Sequence, residues 1–171
     1  MTVYTGPRIV IDEVVERFGT THILSISSVG KQQTKITTPE GVAPDNHFQF
    51  EFDDVTTEER AALLVEITDD QVMELFELFK TLPDTASVYI HCEAGVSRST
   101  AVAYALRAYR EKISSIEEAL KLLKDIDDKG FYSRNAWPND RITNKFSNVM
   151  NLGVDLAEAL TIWKDNYVFS S

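Results

Sequence analysis

Cysteine occurs once in this chain, at Cys92, so no intramolecular disulfide can form. Histidine is nearly as scarce: His22, His47 and His91 are scattered and make no zinc constellation with that cysteine. Structural cystine and structural metal both drop out as the basis of the fold. Long apolar runs are also missing, and none approaches the roughly 18 residues that a spanning helix needs. The opening MTVYTGPRIVIDEVVERF lacks a basic stretch ahead of a long apolar core, and its acidic residues argue against a transit peptide. A cytoplasmic location is expected, without membrane association. Positive charge is in deficit, 17 Lys and Arg against 27 Asp and Glu, for a net charge of −10. That balance disfavours broad contact with phosphate backbones or anionic lipid, so no nucleic-acid partner is expected.

What is present is ordinary for a globular protein. Apolar residues make up 43% and charged residues 26% of 171 positions, enough for one real hydrophobic core and too few for two comfortable ones. A single domain spanning residues 1–171 is expected, and a monomer. DEVVERF carries a helical pattern, followed by the β-branched, apolar THILSISSVG (Thr21 to Gly30), which reads as a buried strand. HFQFEF (His47 to Phe52) alternates strictly, as a half-exposed strand does. The acid-rich DDVTTEERAALLVEITDD then reads as a solvated loop or helix face. TDDQVMELFELFK places Val72, Leu75, Phe76 and Phe79 on one helical face starting at Thr68 or Asp69, with Pro83 after its end.

SVYI is short and β-prone, and STAVAYALRAYR has apolar residues on more than one face, the pattern of a helix buried on most sides. SSIEEALKLLKDI offers Ser114 and Ser115 as N-caps, Glu117 and Glu118 as capping-box partners, and Ile116, Ala119, Leu120 and Leu123 at helical spacing; Lys129 and Gly130 end it. A last helical region starts after Pro138 and carries Ile142, Phe146, Val149 and Met150. Strands interleaved with helices predict an α/β fold, a mainly parallel sheet with helices on both faces.

The lone cysteine stands between a strand and a helix in SVYIHCEAGVSRSTAVAYAL, residues 87 to 106. A strand-to-helix turn aims successive backbone N–H groups inward, and the helix N-terminus adds about half a positive charge. Such a cradle binds phosphate. Gly95 permits the tight turn, and Arg98 can chelate two oxygens of a tetrahedral anion. The same field stabilises a thiolate at Cys92, so sulfur and phosphorus would share one environment, suited to in-line attack.

HCEAGVSRS matches the H-C-x5-R-[ST] signature and resembles the cysteine-dependent protein tyrosine phosphatase superfamily, in its compact dual-specificity branch. THILSIS is similar to the early strand of that fold, and SRNAWPNDRI to the elements preceding its final helix. The resemblance extends over most of residues 8 to 155. It implies a phosphate-binding CX5R loop and a hydrolase that needs no cofactor and no metal.

By that resemblance Cys92 is the nucleophile forming a phosphocysteine and Arg98 binds the phosphoryl oxygens. The N–H groups of Glu93, Ala94, Gly95, Val96, Ser97 and Arg98 supply further donors. Ser99 matches the hydroxyl that assists departure of the thiolate, and it serves equally as a helix cap. His91 is badly placed to take the proton of Cys92, because neighbours on a strand point to opposite faces; it reads as a residue hydrogen-bonded to the loop, or as a satisfied core histidine. A leaving oxygen needs a proton. The family's acid comes from a loop upstream, and Asp54 is preferred over Asp53, whose side chain should project from the other face of the strand. The gap from Asp54 to Cys92 is longer than in the commonest members. Asp69 and Asp70 are the reserve candidates, although helix N-terminal charge placement accounts for both. Asn139 resembles the asparagine that braces the loop, and Arg134 its partner; both also fit turns.

The resemblance thus implies a protein phosphatase acting on phosphorylated proteins or peptides, with phosphotyrosine favoured and phosphoserine or phosphothreonine open. Action on RNA 5′-triphosphate or phosphoinositide is disfavoured by the acidic composition. A non-catalytic phospho-binding module is the third reading, but Cys92, Arg98 and Ser99 are all retained. A rhodanese-like sulfurtransferase also uses a loop cysteine, and the arginine-terminated pattern favours phosphate over it.

Overall fold

The computed structural model describes residues 1–30, 36–129 and 136–168. Strand β1 (Thr2–Pro7) runs through a 3-10 turn at Arg8–Val10 into helix α1 (Ile11–Phe18), then β2 (His22–Ser27) and β3 (His47–Glu51). Helices α2 (Glu58–Ala61) and α3 (Asp69–Thr81) lead to β4 (Ser87–Cys92). Four helices follow: α4 (Arg98–Arg110), α5 (Ile116–Asp128), α6 (Asp140–Met150) and α7 (Leu156–Val168).

Among the described residues four strands form one sheet in the order β1-β4-β2-β3, and every pairing is parallel. Parallel neighbours require crossovers; α1 lies in the connection from β1 to β2, and α2 and α3 in the connection from β3 to β4. Strand alternation divides the apolar residues between two faces. Leu24, Ile26, Val88 and Ile90 join the main core with buried residues of α3 to α7, while Ile23 packs with Val15 of α1 and Val42 on the other side. The expected α/β fold with helices on both faces is therefore the observed one, with α1 the lesser cover. Among the described residues edge strand β3 pairs only with β2, which agrees with its alternating pattern.

Local sequence explains most element boundaries. Thr68 and Gln71 close a reciprocal capping box at the start of α3, and Val72, Leu75, Phe76 and Phe79 are its buried residues. Helix α4 buries every residue from Arg98 to Leu106, so its small alanines let it run between the sheet and its helical neighbours. At α5 the cap is Ser115, whose hydroxyl accepts from Glu118 N–H, while the Glu118 carboxylate accepts from the backbone of Ser114.

The buried residues of α5 are Ala119, Leu122, Leu123 and Ile126, and Ile116 and Leu120 pack against the core partly buried. Two expectations need correction. The helix after Pro138 is not the last: α7 follows it and contributes Leu156, Ala159, Leu160 and Trp163 to the core. The acid-rich segment is more than solvated, since it carries α2 and is anchored at several points along its length. Among the described residues no helix is long and apolar enough to cross a membrane.

Candidate active site

Cys92 ends β4 at the carboxyl edge of the sheet, where parallel α/β sheets bind their ligands. The turn from Glu93 to Ser97 then delivers Arg98 as the first residue of α4. Outside donors hold the turn open by taking its carbonyl oxygens: Arg8 N–H donates to Glu93 (3.4 Å), Trp137 N–H to Val96 (2.9 Å) and Asn139 N–H to Ser97 (3.3 Å). Among the described residues, Gly95 is the loop amide that finds an acceptor, and that acceptor is the Cys92 sulfur at 3.3 Å. Ser99 Oγ stands 3.4 Å from the same sulfur. Donors therefore converge on the loop's concave side.

Gly95 adopts φ +74°, a left-handed conformation, and a Cβ built there would lie 2.2 Å from the Gly6 carbonyl carbon. Those β1 atoms are fixed by sheet pairing, Gly6 opposite His91 and Pro7 opposite Cys92. The tight turn expected of Gly95 is thus also a close approach of two backbones.

Arg98 is 4% exposed and makes no ion pair among the described residues. Its Nη1 donates to Phe52 O (2.9 Å) and Ser28 Oγ (3.2 Å), which orients the guanidinium from the ends of β2 and β3. Its Nε is buried without a partner. A buried cation with a vacant donor and only neutral acceptors has the composition of an oxyanion site.

Asp54 lies against the loop. Its Oδ1 accepts from Ser97 Oγ (2.7 Å) and from Asn139 Nδ2 (2.8 Å). Asn139 also donates to Val55 O (2.9 Å) and caps α6 by accepting from Ile142 N–H (3.0 Å). One side chain so joins the Asp54 segment, the loop and a helix N-terminus. Asp53 is used otherwise. Its carboxylate accepts from Val29 N–H (3.2 Å) and Val65 N–H (2.9 Å), and its own N–H donates to Val65 O (2.7 Å), closing the base of the 53–65 segment. Strand β3 ends at Glu51, so Asp53 is not part of it, yet the two aspartates diverge as strand geometry suggested. Asp69 pairs with Lys145 at the start of α3, and Asp70 is exposed in the same turn. Arg134 falls outside the described residues.

No protein-family model matches the chain, and no curated protein matches its sequence. Solved structures do match it. The human tyrosine phosphatase-like serine/threonine/tyrosine-interacting protein superposes with TM-score 0.54 at 16% identity, over 97% of this chain and 93% of that one. Cydia pomonella PTP-2 phosphatase gives 0.58 at 17% identity, over 86% and 85%. PTPMT1 in complex with PI(5)P gives 0.53 at 15%, over 97% and 94%. The chain has the compact fold of the dual-specificity phosphatases.

Within this phosphatase fold His91 fits the second of its two readings, a buried core histidine. Its hydrogen bond does not run to the loop: Nε2 meets Ser25 Oγ of β2 at 2.6 Å, while Nδ1 sits beside the Cys92 backbone without hydrogen-bond geometry. Strand alternation is the cause, since it points His91 to the face opposite Cys92. Ser25 continues the chain to His47 Nε2 (2.8 Å), and His47 Nδ1 to Thr38 Oγ1 (2.9 Å). Burial pushes His91 down to about 4, with His47 and Arg8 acting in the same direction. The folded value is below the ordinary 6.5, so the unfolded chain binds the extra proton. Stability from His91 is complete above pH 6.5 and declines as pH falls toward 4, by a total on the order of 3 kcal/mol. Urea midpoints measured from pH 7.5 to 4.5 should fall less steeply for His91→Gln than for the wild type; parallel curves would remove His91 from this role.

Sequence reading also missed residues that serve the phosphatase fold from a distance. Arg141 of α6 binds Glu66 in bidentate fashion, Nε to Oε1 at 2.7 Å and Nη2 to Oε2 at 3.0 Å, and its Nη1 also reaches Glu58. This ion cluster ties the first residue of α2 and the segment after α2 to the helix capped by Asn139, and Arg141 holds the Glu66 carboxyl below its usual range. Nothing in PNDRI distinguishes Arg141 from a surface arginine. Ser25 was detectable as a polar residue inside the apolar run HILSIS.

Proposed function

We propose that the protein is a cysteine-dependent phosphoric monoester hydrolase acting on phosphorylated proteins, with phosphotyrosine its favoured target. The observation that carries this reading is the buried Arg98, which among the described residues has no counter-ion and no partner for its Nε, at the far end of the short loop that begins at Cys92. In the proposed reaction the Cys92 thiolate attacks phosphorus while the bond to the leaving oxygen breaks, and Asp54 gives that oxygen its proton. Arg98 and the loop amides hold the non-bridging oxygens through the transition state. Water then attacks the phosphocysteine, returning a proton to Asp54. The sulfur leaves as thiolate, helped by the Ser99 hydroxyl 3.4 Å away, and inorganic phosphate is released. Asn139 and Ser97 hold Asp54 at the loop.

PTPMT1 is solved with PI(5)P bound, which keeps a phosphoinositide substrate as the second reading. A net charge of −10 weighs against work on an anionic lipid surface.

The test is a phosphoenzyme trapped by rapid acid quench and mapped to Cys92, with Cys92→Ser giving neither adduct nor turnover. A Cys92→Ser protein that still hydrolyses aryl phosphates would overturn the reading. The acid has its own signature. Asp54→Asn should slow a phosphotyrosine peptide by about a hundredfold, yet a strongly activated aryl ester by less than about tenfold, because only the poor leaving group needs a proton. Equal loss on both substrates would remove Asp54 from the role.

A further inference from the structure

Five of the large apolar side chains that solvent reaches lie on three segments of this protein: Ile9 is 89% exposed, Leu63 85%, Val65 49%, Leu64 38% and Val29 36%. Scattered exposed hydrophobics need no explanation, whereas a group of them around one site marks an interaction surface. All three segments are bonded to the phosphate loop, to its arginine or to Asp53. Ile9 follows Arg8, whose N–H donates to Glu93 O and whose guanidinium pairs with the Glu93 carboxylate at 3.5 Å. Val29 follows Ser28, the hydroxyl that accepts from Arg98, and donates its own N–H to Asp53. Leu63 and Leu64 lead into Val65, which bonds Asp53 through both its N–H and its carbonyl at the base of the segment bearing Asp54. Met1, Met73 and Trp137 are also part exposed; Trp137 meets the loop through its N–H to Val96 O, but its ring packs with Trp163 and under Lys164.

Charge narrows the occupant. Glu93 stands in the loop itself, and the chain carries −10, so acidic residues beside a phosphate would meet repulsion. Aliphatic or aromatic neighbours would instead remove their own surface and that of Ile9 or Leu63 from water together.

We propose that Ile9, Val29 and Leu63 to Val65 form an apolar collar that selects phosphopeptides with hydrophobic residues flanking the phosphorylated side chain. The proposal rests on the phosphatase reading and names the substrate class of that same site. Phosphate chemistry stays with the loop, and preference resides in the collar.

The experiment uses the full chain and three phosphotyrosine peptides that differ only in the flanking residues: leucine and phenylalanine, glutamate, or serine. A small aryl phosphate serves as reference. The apolar peptide should exceed the glutamate peptide in kcat/KM by about tenfold or more, an effect the size of one or two buried side chains. The double variant Ile9→Ser, Leu63→Ser should abolish that preference while hydrolysing the aryl phosphate at the wild-type rate. Equal kcat/KM on the three peptides overturns the collar, as does a preference that survives the double variant. A variant that loses phosphoinositide hydrolysis in vesicles but keeps its peptide preference also overturns it, in favour of a lipid surface. Wild type inert toward the aryl phosphate would be a failure of the phosphatase reading instead. Calorimetric binding of the same peptides to Cys92→Ser, with and without the collar substitutions, decides the collar in either event.

Discussion

Arg98→Met should lower turnover by about a thousandfold or more and yet leave the ligand-free protein more stable than the wild type. The first half follows from the donors lost. Removing one neutral oxyanion donor costs about a hundredfold to a thousandfold, and charged donors are about twice as strong. The second half follows from what surrounds the guanidinium now. Arg98 is 4% exposed, and among the described residues it meets only Phe52 O and Ser28 Oγ and leaves Nε unpaired. Burying an ion without a counter-ion costs several kcal/mol, whereas leaving the Phe52 carbonyl without its donor costs about 1–3 kcal/mol. Relief of the buried charge outweighs the lost hydrogen bond, for a net gain of about 1–2 kcal/mol in the variant. Ligand linkage gives an independent check. Inorganic phosphate at a hundred times its Kd should stabilise the wild type by about 2.7 kcal/mol and Arg98→Met hardly at all. Arg98→Lys should fail as well, since an ammonium cannot chelate two oxygens in a plane. An apo variant less stable than wild type, or one that phosphate protects equally, would show that this cation is structural.

How far the site could be read in advance depended on how local each part is. Cys92, Gly95, Arg98 and Ser99 fall within eight residues, and a strand-turn-helix sequence leaves few ways to arrange them. Asp54 was accessible for a related reason, since it lies just past a strand whose alternation shows which way its side chains point. The partners of these residues come from elsewhere in the chain. Ser28 and Phe52 orient Arg98 across separations of 70 and 46 residues, and only the parallel register brings them together. Strand β1 escaped notice because TVYTGP ends in Gly-Pro, which reads as a turn, although it is the wall against which the loop turns. Arg141 and His91 illustrate the same limit in polar contacts. Residue type announces that a charge or ring must be satisfied, and tertiary packing alone selects Glu66 or Ser25 as the partner.

Gly95→Ala tests the loop without removing any of its chemical groups, and it should be nearly as damaging as losing the arginine. Two costs add. An L-residue at φ +74° pays about 1–2 kcal/mol, and the new methyl would stand 2.2 Å from Gly6 C, 2.4 Å from Pro7 N and 2.6 Å from Gly6 O. Those are backbone atoms of β1, paired in register with His91 and Cys92, so the strand cannot yield without disturbing the sheet. The loop must move instead, and with it the Gly95 amide that donates to the sulfur. Turnover should fall by about a hundredfold to a thousandfold, the cost of a misplaced oxyanion donor, and stability by about 3 kcal/mol or more. Gly19→Ala is the matched control. Gly19 has φ +58° at the end of α1 with nothing within 4 Å of the added Cβ, so it carries the backbone penalty alone. It should lose only about 1 kcal/mol and keep full activity. The difference between the two alanines isolates the close approach of β1 to the loop. If Gly95→Ala proved no worse than Gly19→Ala, the wall behind the loop would be soft, and the rigid positioning of sulfur against the Gly95 amide would have to be abandoned.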